Sequence, residues 1–553
     1  MLDYAAWRLQ SEQSRSLLAN GGSNGNVVGY GTLRESETAP SPGKRKTIGF
    51  WSTVFIIFNR IIGTGIFATP AAVLALSGSV GLSLSLWLIG SLLAAAGMQV
   101  YIVWGCAFPK NGAEKNYLSY LFPRPSYLVI CLYAASSSLM GWAAGNSLVF
   151  GEYTLKAFMD HEPSALLLKF TSFACVTLTF LLHGTAVEWG LRVQNILGVF
   201  KLLVLAIVAG TGLFALKYGI PSAAGVLNES GSLSNPQWRG RENLANMWEG
   251  TTVSVSSLCL GLYSWRGREN LVNMWEGTTV SASSLCLGLY SVMWSFVGFS
   301  NANYAMSEMK NPKRTIKIAG PLAVAVVAAL YIFSNVAYFA GASKEEIISS
   351  GRLVVALLMK NVWGEKIERF VDIGVALSAF GSVLAMSFAQ GRINQELGKE
   401  GVLPFSEWLA SNEPFNAPLA GLGLHWLLCV LIIFFVPQGD AYNLVINLAS
   451  YPTAVINAVI SFGLVYLYLT SSSHRNTDDE QYEWEKLSCY TLIAAFFFGA
   501  ANVFLFVAPF VPPPEGAEPY VSLPYWTHAA VGWMLFGVGA VWWTVRCRRG
   551  LRL

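Results

Sequence analysis

Along the chain, apolar residues fall into long blocks that recur from Phe50 to Val545, separated by short polar gaps and with no domain-sized hydrophilic stretch. A helix rises about 1.5 Å per residue and a bilayer's hydrocarbon core is roughly 30 Å thick, so a span needs about 20 mostly apolar residues. Twelve blocks meet that requirement: 50–76, 82–106, 125–157, 166–184, 190–214, 286–306, 316–341, 368–392, 418–436, 442–468, 488–511 and 525–545. The pattern predicts an all-α polytopic membrane protein with twelve transmembrane helices.

Composition agrees. Of 553 residues, 54% are hydrophobic and only 12% charged, whereas ordinary soluble domains carry roughly a quarter charged residues. The net charge of +4 matters less than its placement, because basic residues near span ends are retained on the cytoplasmic side. Lys44, Arg45 and Lys46 precede the first span, Lys310, Lys313, Arg314 and Lys317 follow the sixth, and Arg546, Arg548, Arg549 and Arg552 close the chain. Both termini are therefore expected in the cytoplasm. Arg239, Arg241, Arg266 and Arg268 run against this, but in a long gap that weighs less in the rule. Residues 1–46, rich in Ser, Gly and Asn, lack a secretory signal and predict a disordered cytoplasmic tail. Residues 47–546 form the twelve-helix domain, and 547–553 a short cytoplasmic tail. The eight cysteines lie mostly in apolar stretches and show no CxxC pair, which predicts neither a metal site nor a disulfide framework.

Two repeats are present. Residues 238–264 recur as 265–291, differing only at Ala245 against Val272 and Val255 against Ala282. Two near-identical copies do not make a solenoid, and a recent duplication is the preferred account, with the first copy as the extra one because the second runs directly into the sixth span. The other repeat is subtler. The first and sixth spans are both interrupted by glycine, at Ile62-Gly63-Thr64-Gly65-Ile66 and at Val297-Gly298-Phe299-Ser300-Asn301. Discontinuous helices at corresponding positions of two halves point to a transporter site, and five spans per half put the halves, about 50–214 and 286–468, in inverted orientation. Gly90 and Gly97 are instead read as small residues that let helices approach.

Unwound backbone is tolerable at membrane depth only inside protein or beside a wet cavity. The half-helix beginning near Gly65 offers free amides and a positive dipole end to a carboxylate. The half-helices ending near Ile62 and Val297 offer carbonyls to an ammonium. A zwitterionic amino acid satisfies both.

The stretches Asn59–Pro70 (NRIIGTGIFATP), Ser77–Leu82 (SGSVGL), Pro109–Leu118 (PKNGAEKNYL) and Glu276–Pro312 resemble the amino acid–polyamine–organocation transporters, and within them the fungal methionine permeases of the L-type amino acid transporter branch. The resemblance covers nearly everything after residue 46. It implies a ten-helix inverted-repeat core of the bacterial leucine-transporter type with two further helices, discontinuous helices 1 and 6, and amino-acid uptake at the plasma membrane. It also implies that Gly63, Thr64, Gly65 and Ile66 bind the substrate carboxylate and that Phe296, Val297 and Phe299, around Gly298, present carbonyls to the ammonium. Trp294 matches the family's aromatic gate, a core or interfacial aromatic being the alternative.

Lys201 lies eleven residues inside the fifth span, roughly 15 Å from its start and too deep for easy snorkelling. It matches the family lysine that occupies the sodium place of sodium-coupled relatives, so the resemblance argues against sodium dependence; a buried lysine whose pKa can shift suits coupling to protons, and proton symport is the inference we draw from it. Arg60 adjoins the first break; it faces the bundle or an inner vestibule, or pairs with an acidic residue such as Glu308, the reading we prefer. Ser378 and Ser382 share one face of the eighth span and either touch substrate or bond backbone carbonyls.

The gap from Lys156 to Lys169 has no cysteine, where animal heteromeric relatives bond a glycoprotein, so no disulfide-linked heavy subunit is expected. Asn228-Glu229-Ser230 is a weak glycosylation signal. No cofactor, metal or nucleic-acid partner is implied, and the five scattered histidines support no enzyme. Secondary active transport of methionine or a related neutral amino acid is the expectation. A broad-specificity neutral amino-acid exchanger and a non-transporting amino-acid sensor are the alternatives.

Overall fold

A computed structural model describes residues 48–159, 161, 163–218, 274–278, 281–415, 417–437, 440–471, 488–513 and 519–547. The expected tail 1–46, residues 548–553 of the expected tail 547–553, the first repeat copy 238–264, the Asn228 sequon and the side chain of Glu308 lie outside them.

The first span is three consecutive helices rather than one. Helix α1 (Phe50–Ile61) ends at Ile62, whose backbone is extended (φ −70°, ψ 97°). Helix α2 (Gly65–Ala68) follows, then α3 (Pro70–Ser77); Pro70 occupies the first turn of α3, where a missing N–H leaves no bond unmade. Ser79 then caps α4 (Val80–Ala107), its hydroxyl accepting from the Leu82 amide at 3.3 Å. After the short α5 (Glu114–Leu121), the expected third span divides into α6 (Leu128–Ser138) and α7 (Ala144–Phe158). At the divide the chain packs closely on a later helix: a Cβ on Gly141 would lie 2.6 Å from Ile432 Cδ1 and 3.1 Å from the Cys429 amide.

Helices α8 (Ala165–Thr185) and α9 (Val187–Tyr218) complete the first half. The second half opens with α10 (Ala282–Phe296), a turn, and a 3-10 segment over Asn301–Glu308. It continues through α11 (Pro312–Gly341), α12 (Lys344–Ser349), α13 (Val354–Trp363), α14 (Glu365–Lys399), α15 (Ser406–Ala410), α16 (Leu419–Phe435) and α17 (Asp440–Ser471). Last come α18 (Cys489–Val507) and α19 (Thr527–Trp542).

Among the described residues, nine helices are long and apolar enough to cross a membrane. The other three expected spans are the divided third, the interrupted sixth and the 17-residue α16. Large apolar side chains such as Leu88, Leu92, Phe170, Leu203, Phe370 and Phe496 stand on the outside of the spans, while Asn146, Lys201, Asn335, Asp372 and Asn394 are buried within. An apolar exterior around a partly polar interior is what lipid as solvent selects.

The second repeat copy is part of this architecture. Its Met274 carbonyl accepts from the Gly81 amide, Thr278 Oγ1 bonds Ser79 Oγ at 2.8 Å, and Gly277, at φ +79°, turns the chain beside Gly78. Gly90 and Gly97 do mark close helix packing: a Cβ would meet Val292 at 2.3 Å and Phe498 at 2.8 Å. The chain also clasps itself beneath the breaks, Ile48 accepting from the Lys310 amide at 2.9 Å.

Candidate substrate site

Three residues, Ile62, Gly63 and Thr64, separate α1 from α2, and their conformation empties several backbone groups. The Ile62 amide still reaches Phe58 O at 2.8 Å, and the next to find a carbonyl is that of Phe67, 3.1 Å from Thr64 O. Among the described residues, the amides of Gly63, Thr64, Gly65 and Ile66 donate to no backbone carbonyl. All five residues from Ile62 to Ile66 are buried.

The opposing break is tighter. Val297 turns extended (φ −55°, ψ 123°) after α10, and Gly298 follows at φ +120°. Short bonds run within it: the Val297 amide to Trp294 O at 3.1 Å, Phe299 to Phe296 O at 3.4 Å and Asn301 to Gly298 O at 2.9 Å. The Phe296 carbonyl is thus partly engaged by its own turn. Its ring packs on Tyr331 at 5.1 Å between centroids, and the Phe299 ring meets Tyr101 edge-on at 5.7 Å.

The two breaks touch. A Cβ on Gly298 would lie 2.2 Å from Arg60 Cγ and 3.0 Å from the Arg60 carbonyl carbon, and one on Gly65 would lie 2.6 Å from Ser295 Cα. Tyr331 on α11 ties them together, its hydroxyl standing 2.9 Å from Ile61 O and 3.0 Å from Ser295 O. One hydroxyl has one proton, so it donates to one of these carbonyls at a time.

Around this centre the expected residues take distinct places. Lys201 is 1% exposed, and its ammonium donates to Asn59 O at 3.2 Å and Ser382 Oγ at 2.7 Å. It therefore bridges the end of α1 to α14. Ser382 also donates to Ser378 O at 3.3 Å, and a Cβ on Gly63 would come within 2.9 Å of Ser382 Oγ. Ser378 is fully buried and its hydroxyl has no hydrogen-bond partner among the described residues. Trp294 is buried at the end of α10 beside the Tyr442 hydroxyl, which also faces Thr64. Among the described residues, buried Arg60 Nη1 has no hydrogen-bond partner, and the expected partner Glu308 has its side chain outside them.

Three contributors escaped the sequence reading: Asn146, Tyr331 and Tyr442. The Thr64 hydroxyl donates to Asn146 Oδ1, and Asn146 Nδ2 donates to the Met386 sulfur at 2.7 Å. Asn146 carried a usable signal, being an amide deep in an apolar block, where polar side chains rarely face lipid. The tyrosines carried none, since a chain with 22 of them offers too many alternatives.

Comparison with known proteins places these breaks in context. The amino acid permease family model matches residues 48–536. The high-affinity methionine permease of Saccharomyces cerevisiae is 39% identical over 501 residues, covering 90% of this chain and 79% of its own. The low-affinity methionine permease of the same yeast is 29% identical, over 85% of this chain and 77% of its own. The Asc-type amino acid transporter 1 of Homo sapiens is 27% identical, over 78% and 73%. With broken helices in contact at its centre and a family match across nearly its whole helical body, the chain belongs to the amino acid permease family.

Proposed function

We propose that this permease imports methionine and related neutral L-amino acids by proton symport across the plasma membrane. The observation that carries the reading is the contact of the two breaks, with four undonated amides on one side and helix-terminal carbonyls on the other. Gly63, Thr64, Gly65 and Ile66 receive the carboxylate. The carbonyls at Ile62, Val297 and Phe299, with Phe296, face the ammonium, and Trp294 covers the bound substrate. Identity to two yeast methionine permeases supports methionine as the first substrate to test.

On this reading the chain spans the membrane twelve times, both termini are cytoplasmic, and the halves 50–214 and 286–468 form an inverted repeat in which α1–α3 and α10 with its 3-10 segment correspond. Lys201, held at the first break by Asn59 and Ser382, stands where a coupling cation would otherwise screen the α1 carbonyls. Symport then runs on protons, and Arg60, Ser378 and Ser382 support the site without a sodium ion. No disulfide-linked subunit is required.

The test is radiolabelled methionine uptake by the full chain in a permease-deficient yeast, with competition by the other amino acids and with a protonophore. Saturable uptake that methionine competes best and that the protonophore collapses is expected. Uptake indifferent to the protonophore but stimulated by internal amino acid indicates an exchanger, and no uptake of any amino acid sinks the transport reading.

A further inference from the structure

Away from the two breaks, the interface of α7 and α14 buries a cluster of charges. The Glu152 carboxylate on α7 pairs with Arg352, just before α13, and Lys156 Nζ on α7 pairs with Glu368 Oε1 on α14 at 2.9 Å. One helical turn further along α14 lies Asp372, which is 0% exposed and, among the described residues, receives no hydrogen bond on either oxygen. Three carboxylates thus face two cations, and the third carboxylate is the one left without a partner.

A buried carboxylate with no donor is costly as an anion and far cheaper as a neutral acid, because desolvation penalises only the charged form. With one proton bound the cluster is neutral. The groups facing Asp372 reinforce the point. Glu368 stands four residues before it on the same face of α14, and α7 presents Lys156, already paired, and Tyr153. Lys360, at the end of α13, is taken up by Glu365 at 3.5 Å, and Arg369 is exposed.

The position suits proton uptake. The Lys156 side chain is 35% exposed and the Glu368 side chain 7%, so the pair connects the surface to Asp372 along one turn of helix. Beyond Asp372, the Tyr153 hydroxyl donates to Arg352 O at 2.9 Å and lies 3.5 Å from Phe67 O, the carbonyl of a residue in α2. The Arg352 guanidinium lies 5.3 Å above the ring of Tyr442, whose hydroxyl faces Thr64 and Trp294. A change of charge at Asp372 is therefore felt by the helix that carries the first break and by the cover of the site.

We propose that Asp372 is a proton-binding site, loaded from the aqueous phase past Lys156 and Glu368, whose occupancy neutralises the α7–α14 interface and couples proton uptake to substrate import. This inference rests on the proton-symport reading and adds a carboxylate to it. The proton is taken from water by one carboxylate oxygen and no bond other than O–H forms or breaks.

The experiment uses the full chain in proteoliposomes, reading methionine uptake at acidic and at neutral external pH together with methionine counterflow, for wild type, Asp372→Asn, Lys156→Gln and Lys201→Gln. Wild-type uptake is expected to rise several-fold at acidic pH. In Asp372→Asn the ratio between the two pH values falls to near one while counterflow persists. In Lys156→Gln, which leaves Glu368 unpaired beside Asp372, the midpoint of the profile moves to higher pH, and this variant decides the matter if Asp372→Asn does not reach the membrane. A wild-type ratio in Asp372→Asn, an unmoved midpoint in Lys156→Gln, or flattening by Lys201→Gln alone overturns the inference and leaves amino-acid transport intact. Absent counterflow in wild type overturns the transport reading and this inference with it.

Discussion

Three glycines at the breaks make different demands, and the geometry ranks them. Gly298 lies at φ +120°, and a Cβ there would meet Arg60 Cγ at 2.2 Å. Backbone strain of this kind costs about 1–3 kcal/mol and overpacking about as much again. Gly65 has ordinary φ, but its missing Cβ faces the Ser295 backbone at 2.6 Å, which cannot turn away. Gly63 faces only the hydroxyl tip of Ser382 at 2.9 Å, which can rotate, although rotation disturbs its bond with Lys201. Thermal unfolding in detergent is therefore expected to rank the alanine variants, Gly298→Ala the most destabilised, Gly65→Ala next and Gly63→Ala the least. A Gly298→Ala protein as stable as wild type would contradict the packing of the two breaks. All three glycines were legible as interruptions in apolar blocks. What each one touches was not, because that depends on residues far away in sequence.

At the scale of elements, the two broken helices are held by α11, α14 and α9 rather than by each other alone. Tyr331 on α11 is the tie, since its hydroxyl serves carbonyls at the ends of both α1 and α10. Removing that hydroxyl leaves two buried carbonyls sharing no donor, at a cost of about 1–3 kcal/mol. Tyr331→Phe is expected to lower the thermal midpoint by several degrees and to weaken methionine uptake, and an unchanged midpoint would remove Tyr331 from this role. The ring itself stays useful, packed against Phe296 and edge-on to Trp87 at 5.8 Å. Outside the spans, α5 shows a second buried polar cluster: Glu114 accepts from the Tyr101 hydroxyl at 2.8 Å. Burial pushes its carboxyl above the usual range, against hydrogen bonds from Tyr304 and Tyr101. Pattern reading found the helices because span length is a local property. It missed the division of the third expected span into α6 and α7, where Gly141 lies against α16, because which helix packs there is not written in the local pattern.

For the whole molecule, the duplication is the feature that most needs a test. The second copy supplies the first part of α10, from Ala282 to Ser291, and, through Met274, Gly277 and Thr278, the seat against α3 and α4. Extra loop length alone costs little, since closure entropy rises only logarithmically. A chain lacking residues 238–264 is expected to import methionine within about twofold of wild type, measured as initial uptake rate normalised to surface protein. A loss of uptake on that deletion would give the first copy a role of its own. The sequence by itself determined the solvent, the all-helical class and the positions of the two breaks, because hydropathy and glycine placement are written locally. It also carried the family, through motifs that lie on the breaks. Only the tertiary structure decided that Gly298 rests on Arg60, that Lys201 meets Asn59 and Ser382 across 142 and 181 residues of chain, and that Asp372 is buried with no donor among the described residues. Those facts belong to helices brought side by side, and no period or spacing along one chain encodes which faces will meet.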